Sequence, residues 1–224
     1  MIKKELKKRL ITSIILVILL FLMYRFNYIL IISLIIISII SWIEFNNLII
    51  KVVNKKKFLY LITRFLLKAV SLLYIIFVGT IIINTRLNAN ITEIFVFYSL
   101  LVSVCTDIGG LVFGKIFKGT KLIKSISPNK TIAGSIGSFL FSLLLVPLFT
   151  SHFINIPVVS LFFITLLISL ISQIGDLFIS FLKRKAKVKD TGNLLPGHGG
   201  FLDRIDGIIF SIPSGFLLFS YFNL

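Results

Sequence analysis

The chain has 224 residues, of which 57% are hydrophobic and only 14% charged, and its mean hydropathy is +1.06. Soluble domains average about 25% charged residues, and a water-soluble fold of this length could not hide so much apolar surface, so the bilayer must be the solvent for most of the chain. The net charge of +16 would suggest nucleic acid in a soluble protein. Here the basic residues fall in the gaps between apolar runs, which fits the positive-inside rule and anionic headgroups and excludes nucleic acid as the partner.

A spanning helix needs about 20 mostly apolar residues. The start MIKKELKKRL resembles the basic region of a signal peptide, but no A-x-A-like cleavage site follows, so it reads as an uncleaved first span. That span runs from Leu10 to Tyr24 and extends through Phe26. The second is Tyr28 to Phe45. The third lies within Phe58 to Asn84, most safely Phe65 to Asn84, with Phe58 to Thr63 as a separate interfacial piece. The fourth starts near Ile94, passes Cys105 and continues into a glycine-broken piece from Asp107 to Phe117. The fifth is Ile132 to Phe149, the sixth Pro157 to Ile179, and the seventh Gly207 to Phe222. Cys105 is the single cysteine, so neither an intramolecular disulfide nor a cysteine metal cluster can form.

These elements predict an all-α, polytopic transmembrane helical bundle of about seven spans by the length rule, or eight to nine if broken or re-entrant pieces are counted. The whole chain, 1–224, reads as one integral membrane domain, with N-terminal helices over 1–93 and a catalytic half over 94–224. With the N-terminus placed in the cytoplasm, the basic start, Lys51 with Lys55 to Lys57, Lys115 to Lys130, and Lys183 to Arg204 all fall inside. Only Arg25 and Arg86 fall outside, which is the bias that sets orientation.

Ionisable groups at membrane depth are costly and default to a functional reading. All five aspartates, Asp107, Asp176, Asp190, Asp203 and Asp206, lie in the second half, at cytoplasmic ends of spans or in cytoplasmic loops. The glutamates Glu5, Glu44 and Glu93 are scattered near span ends. From Asp107 to Gly134, glycines and lysines precede Ser127-Pro128-Asn129-Lys130-Thr131. Exposed backbone N–H groups in a broken helix, with lysines beside them, suit a polyphosphate, although the order of a P-loop is absent. If the sixth span continues as a helix, Asp176, Ser180, Lys183 and Arg184 share a face, a carboxylate for a divalent ion followed by cations for phosphate oxygens. A glycine-rich loop carries Lys189, Asp190, Pro196, His198, Gly199 and Gly200. It leads to Asp203 and Asp206, three apart and facing the same way on a helix, which suits Mg²⁺.

The stretch Ser180 to Asp206 resembles the signature of the phosphatidate cytidylyltransferases, also called CDP-diacylglycerol synthases. Ser180, Lys183, Arg184, Lys189, Asp190, Gly192, Pro196, His198, Gly199, Gly200, Asp203, Arg204 and Asp206 match its fixed positions. Ser127 to Thr131 and Gly175-Asp176 resemble further family segments. Two departures stand out: Ile132-Ala133-Gly134 replaces an aromatic, Glu, Gly run, and Gly109-Gly110-Leu111 with Gly114-Lys115 replaces the usual residues after the first aspartate.

The resemblance implies CTP and phosphatidic acid as substrates in a lipid membrane, and CDP-diacylglycerol and pyrophosphate as products. It implies Mg²⁺ or another divalent ion, with a second metal allowed, held by Asp176, Asp203 and Asp206. Lys183, Arg184 and Asp190 join those aspartates as catalytic residues, and Ser127, Asn129, Lys130, Thr131, Ser180, Lys189, His198 and Arg204 bind substrate. The location implied is a bacterial inner membrane with the site at its cytoplasmic face, and a homodimer is compatible with it. A polyprenol kinase type of CTP-dependent enzyme and a transporter are the rival readings. A CDP-alcohol phosphatidyltransferase fails because Asp206-Gly207 is followed by Ile208, Ile209, Phe210 and Ser211.

The charge bias yields an orientation test. A reporter fused after Leu224 is expected outside the cytoplasm, and one in the Lys183 to Lys189 loop inside it. Cytoplasmic activity from the C-terminal fusion would refute a seven-span count.

Overall fold

The computed structural model describes residues 2–53, 58–87, 92–197 and 199–222. The expected all-α membrane architecture is what it shows. Helices α1 (Ile2–Arg25), α2 (Asn27–Val52), α3 (Phe58–Leu87) and α4 (Thr92–Phe117) come first. A hairpin of β1 (Lys121–Ile123) and β2 (Ser127–Thr131) follows. Then come α5 (Ile132–Leu143), α6 (Leu145–Phe149), α7 (Val158–Lys185), the single turn α8 (Leu202–Ile205) and α9 (Ile208–Phe222). Among the described residues six helical stretches are long and apolar enough to cross a membrane, from α2 onward, while the apolar part of α1, Ile11–Arg25, is shorter.

Four local expectations are corrected. Residues 58–63 are no separate interfacial piece, because α3 is one helix. The fourth span is not broken at its glycines, because α4 runs through Asp107, Gly109, Gly110 and Gly114 without interruption. The loop after it is an antiparallel hairpin with Lys121 opposite Thr131 and Ile123 opposite Ser127. Finally, α8 ends at Ile205, and Asp206-Gly207 form a turn before α9, so Asp203 and Asp206 do not share a helix face.

The chain clusters into two compact units. The first comprises Met1–Leu87 and Leu182–Ile205, the second Asn88–Phe181 and Asp206–Leu224.

In the first unit α2 packs on α1, α3 and α8. The Trp42 indole donates to the Lys68 carbonyl at 3.2 Å. Arg86 donates to the Tyr24 carbonyl at 2.7 Å and to Asn27 Oδ1 at 3.1 Å, clipping the α1–α2 turn to the end of α3. The last turn of α7 closes with Val188 N–H on the Lys183 carbonyl and Lys187 N–H on that of Arg184. This paired arrangement needs a left-handed residue, and Lys187 adopts it at φ 56°.

In the second unit the glycines of α4 allow a close approach. A Cβ added at Gly109 would lie 2.5 Å from the Gly137 carbonyl oxygen, and one at Gly134 would lie 2.8 Å from that of Gly110. Lipid tails are as apolar as the helix faces, so association in a bilayer depends on such close packing and on polar contacts. The polar contacts here are Tyr98 with Thr165 at 2.7 Å, Ser103 with Ser172 at 2.8 Å, Thr106 donating to Ser169 at 2.8 Å and Ser138 donating to the Thr106 carbonyl at 2.7 Å. Phe95, Phe153 and Phe219 stack in the apolar core at its other end.

Overpacking a well-fitted contact costs about 1–3 kcal/mol. Gly109→Val is therefore expected to lower the unfolding midpoint in detergent. Gly79→Ala, whose new Cβ would meet nothing nearer than Ser38 Oγ at 4.0 Å, should leave the midpoint unchanged or raise it.

Candidate functional site

Among its described residues, the loop from Val188 to Phe201 has no regular ladder beyond an isolated bridge between Leu195 and Gly199. Buried backbone N–H groups must nonetheless find acceptors. Two carboxylates of the first unit supply them. Asp203 Oδ2 accepts from the Thr191 N–H at 2.8 Å, the Gly200 N–H at 3.1 Å and the Thr191 hydroxyl at 3.0 Å. Its Oδ1 meets Lys183 Nζ at 2.6 Å. Glu44, on α2, accepts from the Phe201 N–H at 3.0 Å through Oε1, and from the Leu202 N–H at 2.9 Å through Oε2. Its Oε2 also stands 2.8 Å from the Thr191 hydroxyl. That hydroxyl has a single proton and serves one carboxylate at a time.

The glycines of the loop follow from this geometry. A Cβ at Gly192 would lie 2.5 Å from Glu44 Oε1, and one at Gly200 the same distance from Oε2. Gly199 has φ +84°, the left-handed region, and packs against Asp190 Cβ and Asp203 Oδ2. Thr12 adds a bond from α1 to the Pro196 carbonyl at 3.1 Å. Lys189 and Asp190 are exposed, as are Arg184 and Arg204, which make contacts elsewhere. His198 lies outside the described residues.

The second unit holds a second charged group. Asp176 on α7 pairs with Lys130 on β2 and accepts from the Ser180 hydroxyl at 3.3 Å. Asp107 on α4 lies close enough to interact electrostatically with both Asp176 and Lys130. Thr131 is buried, and its hydroxyl accepts the Gly134 N–H at 3.0 Å, which makes it the N-cap of α5. Ser127 is half-buried and Asn129 exposed on the hairpin. Asp206 is buried in the turn, where its Oδ1 accepts the Gly207 N–H at 2.9 Å.

Of the sequence-predicted residues, the fold thus joins Lys183 to Asp203 and Lys130 to Asp176 and Ser180. Among the described residues no group of three or more metal-type side chains gathers. Mg²⁺ does not require one, since it is held by one or two carboxylates, waters and substrate phosphates. Asp176, with Asp107 nearby, fits that demand if it shares Oδ2 with Lys130. A metal on Asp203 would have to share Oδ1 with Lys183. The glycine-broken phosphate cradle expected after Asp107 is absent, because those amides lie within α4.

Sequence reasoning passed over Glu44. The one signal was a lone carboxylate within a mostly apolar helix, where an ionisable group is costly; its partners could not be read from spacing.

Fold and charge placement define a polytopic helical membrane protein with an ordered, charged loop. The chain belongs to the cytidylyltransferase family, whose model matches residues 2–222. A phosphatidate cytidylyltransferase of Staphylococcus aureus (strain COL) is 47% identical over 121 residues, 53% of this chain and 46% of that protein. One from Bacillus subtilis (strain 168) is 42% identical over 130 residues, 58% of this chain and 48% of that protein. The matches span about half the length of these curated relatives.

The two ion pairs differ in burial, and this sets their energetics. Lys183 and Asp203 side chains are 12% and 7% exposed, against 30% and 23% for Lys130 and Asp176. Both pairs lie between the limits of a fully buried pair, whose breaking costs about 3–5 kcal/mol, and an exposed pair, which contributes about 0–1 kcal/mol, with Lys183–Asp203 nearer the first. Lys183→Met should therefore lower stability in detergent much more than Lys130→Met. Equal losses would show that the loop does not depend on its internal pair.

Proposed function

We propose that the chain transfers the cytidylyl group of CTP to phosphatidic acid, giving CDP-diacylglycerol and pyrophosphate at the cytoplasmic face of a bacterial membrane. The observation that carries this reading is the largely buried Lys183–Asp203 pair, which spans a loop ordered by carboxylates, at the positions where the family signature resides. Membership of the cytidylyltransferase family and the names of the relatives support it.

An oxygen of the lipid phosphate attacks the α-phosphorus of CTP in line. A new P–O bond forms there, the bond from the α-phosphorus to the bridging oxygen breaks, and pyrophosphate leaves with the electron pair. The nucleophile is already anionic near neutral pH, so no strong general base is required. The barrier is largely repulsion between two polyanions, and catalysis consists of alignment and positive charge. Lys183 is held by Asp203 in a fixed place, which removes the reorganisation a free lysine would need. Arg184, Lys189 and Arg204 are exposed cations on the same loop system and its flanks, suited to phosphate oxygens. In the second unit Lys130 is the cation nearest Asp176, the carboxylate we assign to a divalent ion. Such an ion, when bound, would neutralise phosphate charge. The polyprenol kinase reading lacks a comparable observation.

The test uses purified full-length chain, radiolabelled CTP and phosphatidic acid vesicles. Lipid-soluble label is expected with Mg²⁺ and not after chelation. Changing Lys183 and Arg184 to Gln should cost at least about tenfold, ~1.4 kcal/mol of barrier, while changing Lys185 and Lys187 to Gln removes the same charge with little effect. Equal losses in the two double variants would make the basic cluster a membrane-surface device. No labelled lipid from the unaltered chain under any divalent ion would overturn the reading.

A further inference from the structure

Glu44 is 6% exposed and is the one carboxylate of α2, a helix of mostly apolar residues. A carboxylate buried this way is costly unless its oxygens are satisfied. Its donors among the described residues come from the loop and from Leu202 at the start of α8. Their order along the chain is informative. The amides of Gly200, Phe201 and Leu202 are consecutive. The first is taken by Asp203 Oδ2, the second by Glu44 Oε1 and the third by Glu44 Oε2. Thr191, from the opposite end of the loop, reaches both carboxylates. Two acids therefore grip one short backbone segment, and moving either shifts the other's partners.

We propose that Glu44 is a positioning residue for the reaction: its buried carboxylate fixes the backbone at Phe201 and Leu202 and the Thr191 hydroxyl, and through them the place of Asp203 and Lys183. This rests on the cytidylyl-transfer reading for its kinetic consequence, but not for its structural one. The bonds of Glu44 go to Thr191, Phe201 and Leu202, whereas Lys183 is held by Asp203. Its effect passes through Asp203, which shares Thr191 with it and takes the neighbouring amide. Gly192 records the same demand, since the three atoms nearest to an added Cβ there all belong to Glu44, at 2.5, 3.0 and 3.3 Å.

The experiment compares Glu44→Gln, Asp203→Asn and the double variant, in purified full-length chain. Glutamine keeps the length and shape but turns one acceptor into an N–H donor facing a backbone donor. Amide exchange across 199–202 is expected to rise at least about tenfold in Glu44→Gln, with the α4–α5 pair unchanged, as for loss of a local clamp. Turnover should fall about a hundredfold in the native background but less than about threefold in the Asp203→Asn background, the non-additivity of residues that act through one another. Should Glu44→Gln fail to insert, Gly192→Ala carries the same comparison, because the three atoms nearest to its methyl all belong to Glu44.

Unchanged exchange at 199–202 overturns the proposal, as do additive losses of turnover or a loss that merely follows the unfolding midpoint. If the unaltered chain makes no CDP-lipid, the exchange result still decides the role of Glu44, and only the cytidylyl-transfer reading falls.

Discussion

A long loop without a hydrogen-bonded ladder, rooted at the end of a membrane helix, is held by carboxylates from elsewhere in its unit. Asp203 and Glu44 together accept the amides of Thr191, Gly200, Phe201 and Leu202, and Asp203 also fixes the Lys183 ammonium. Backbone groups away from water must be paired, and here the proposed chemistry would draw on the same atoms. The glycines at 192 and 200 leave room for Glu44, and the Lys187 turn ends α7 so that the loop can begin. Remove the carboxylates and neither the loop's shape nor the lysine's place has a cause.

The second unit answers a different constraint. Its helices meet in a solvent that does not reward apolar contact, so they rely on glycine, serine and threonine. The close backbone approach at Gly109, Gly110, Gly134 and Gly137, and the serine and threonine bonds from α4 to α7, follow from this. One consequence is that Asp107 on α4, Asp176 on α7 and Lys130 on β2 are brought near one another by packing that has nothing to do with charge.

The spans were legible because twenty-residue apolar runs leave few alternatives. Interruptions were harder to read. Glycine weakens a helix in water, which makes Asp107 to Phe117 look broken, but α5 supplies contacts that keep α4 whole. The hairpin was missed because its strands are three and five residues long and carry lysines and a proline. Asp203 and Lys183 stood out as candidates, yet their contact depends on a fold-back that spacing cannot show. Glu44 was hidden for the same reason, since its partners lie more than a hundred residues away along the chain. Thr131 was read as a substrate contact, and its hydroxyl serves as a helix cap.

A carboxylate-ordered lysine among further cations suits reactions between polyanions, where alignment and charge matter more than proton transfer. Phosphorus NMR of the purified chain with CTP, phosphatidic acid and Mg²⁺ tests that account most directly, because it counts products. Cytidylyl transfer predicts a CDP-lipid diphosphate signal and free pyrophosphate growing in equal amounts as CTP disappears. CDP accumulating with a newly phosphorylated lipid, and no pyrophosphate, would contradict it and identify a CTP-dependent lipid kinase instead.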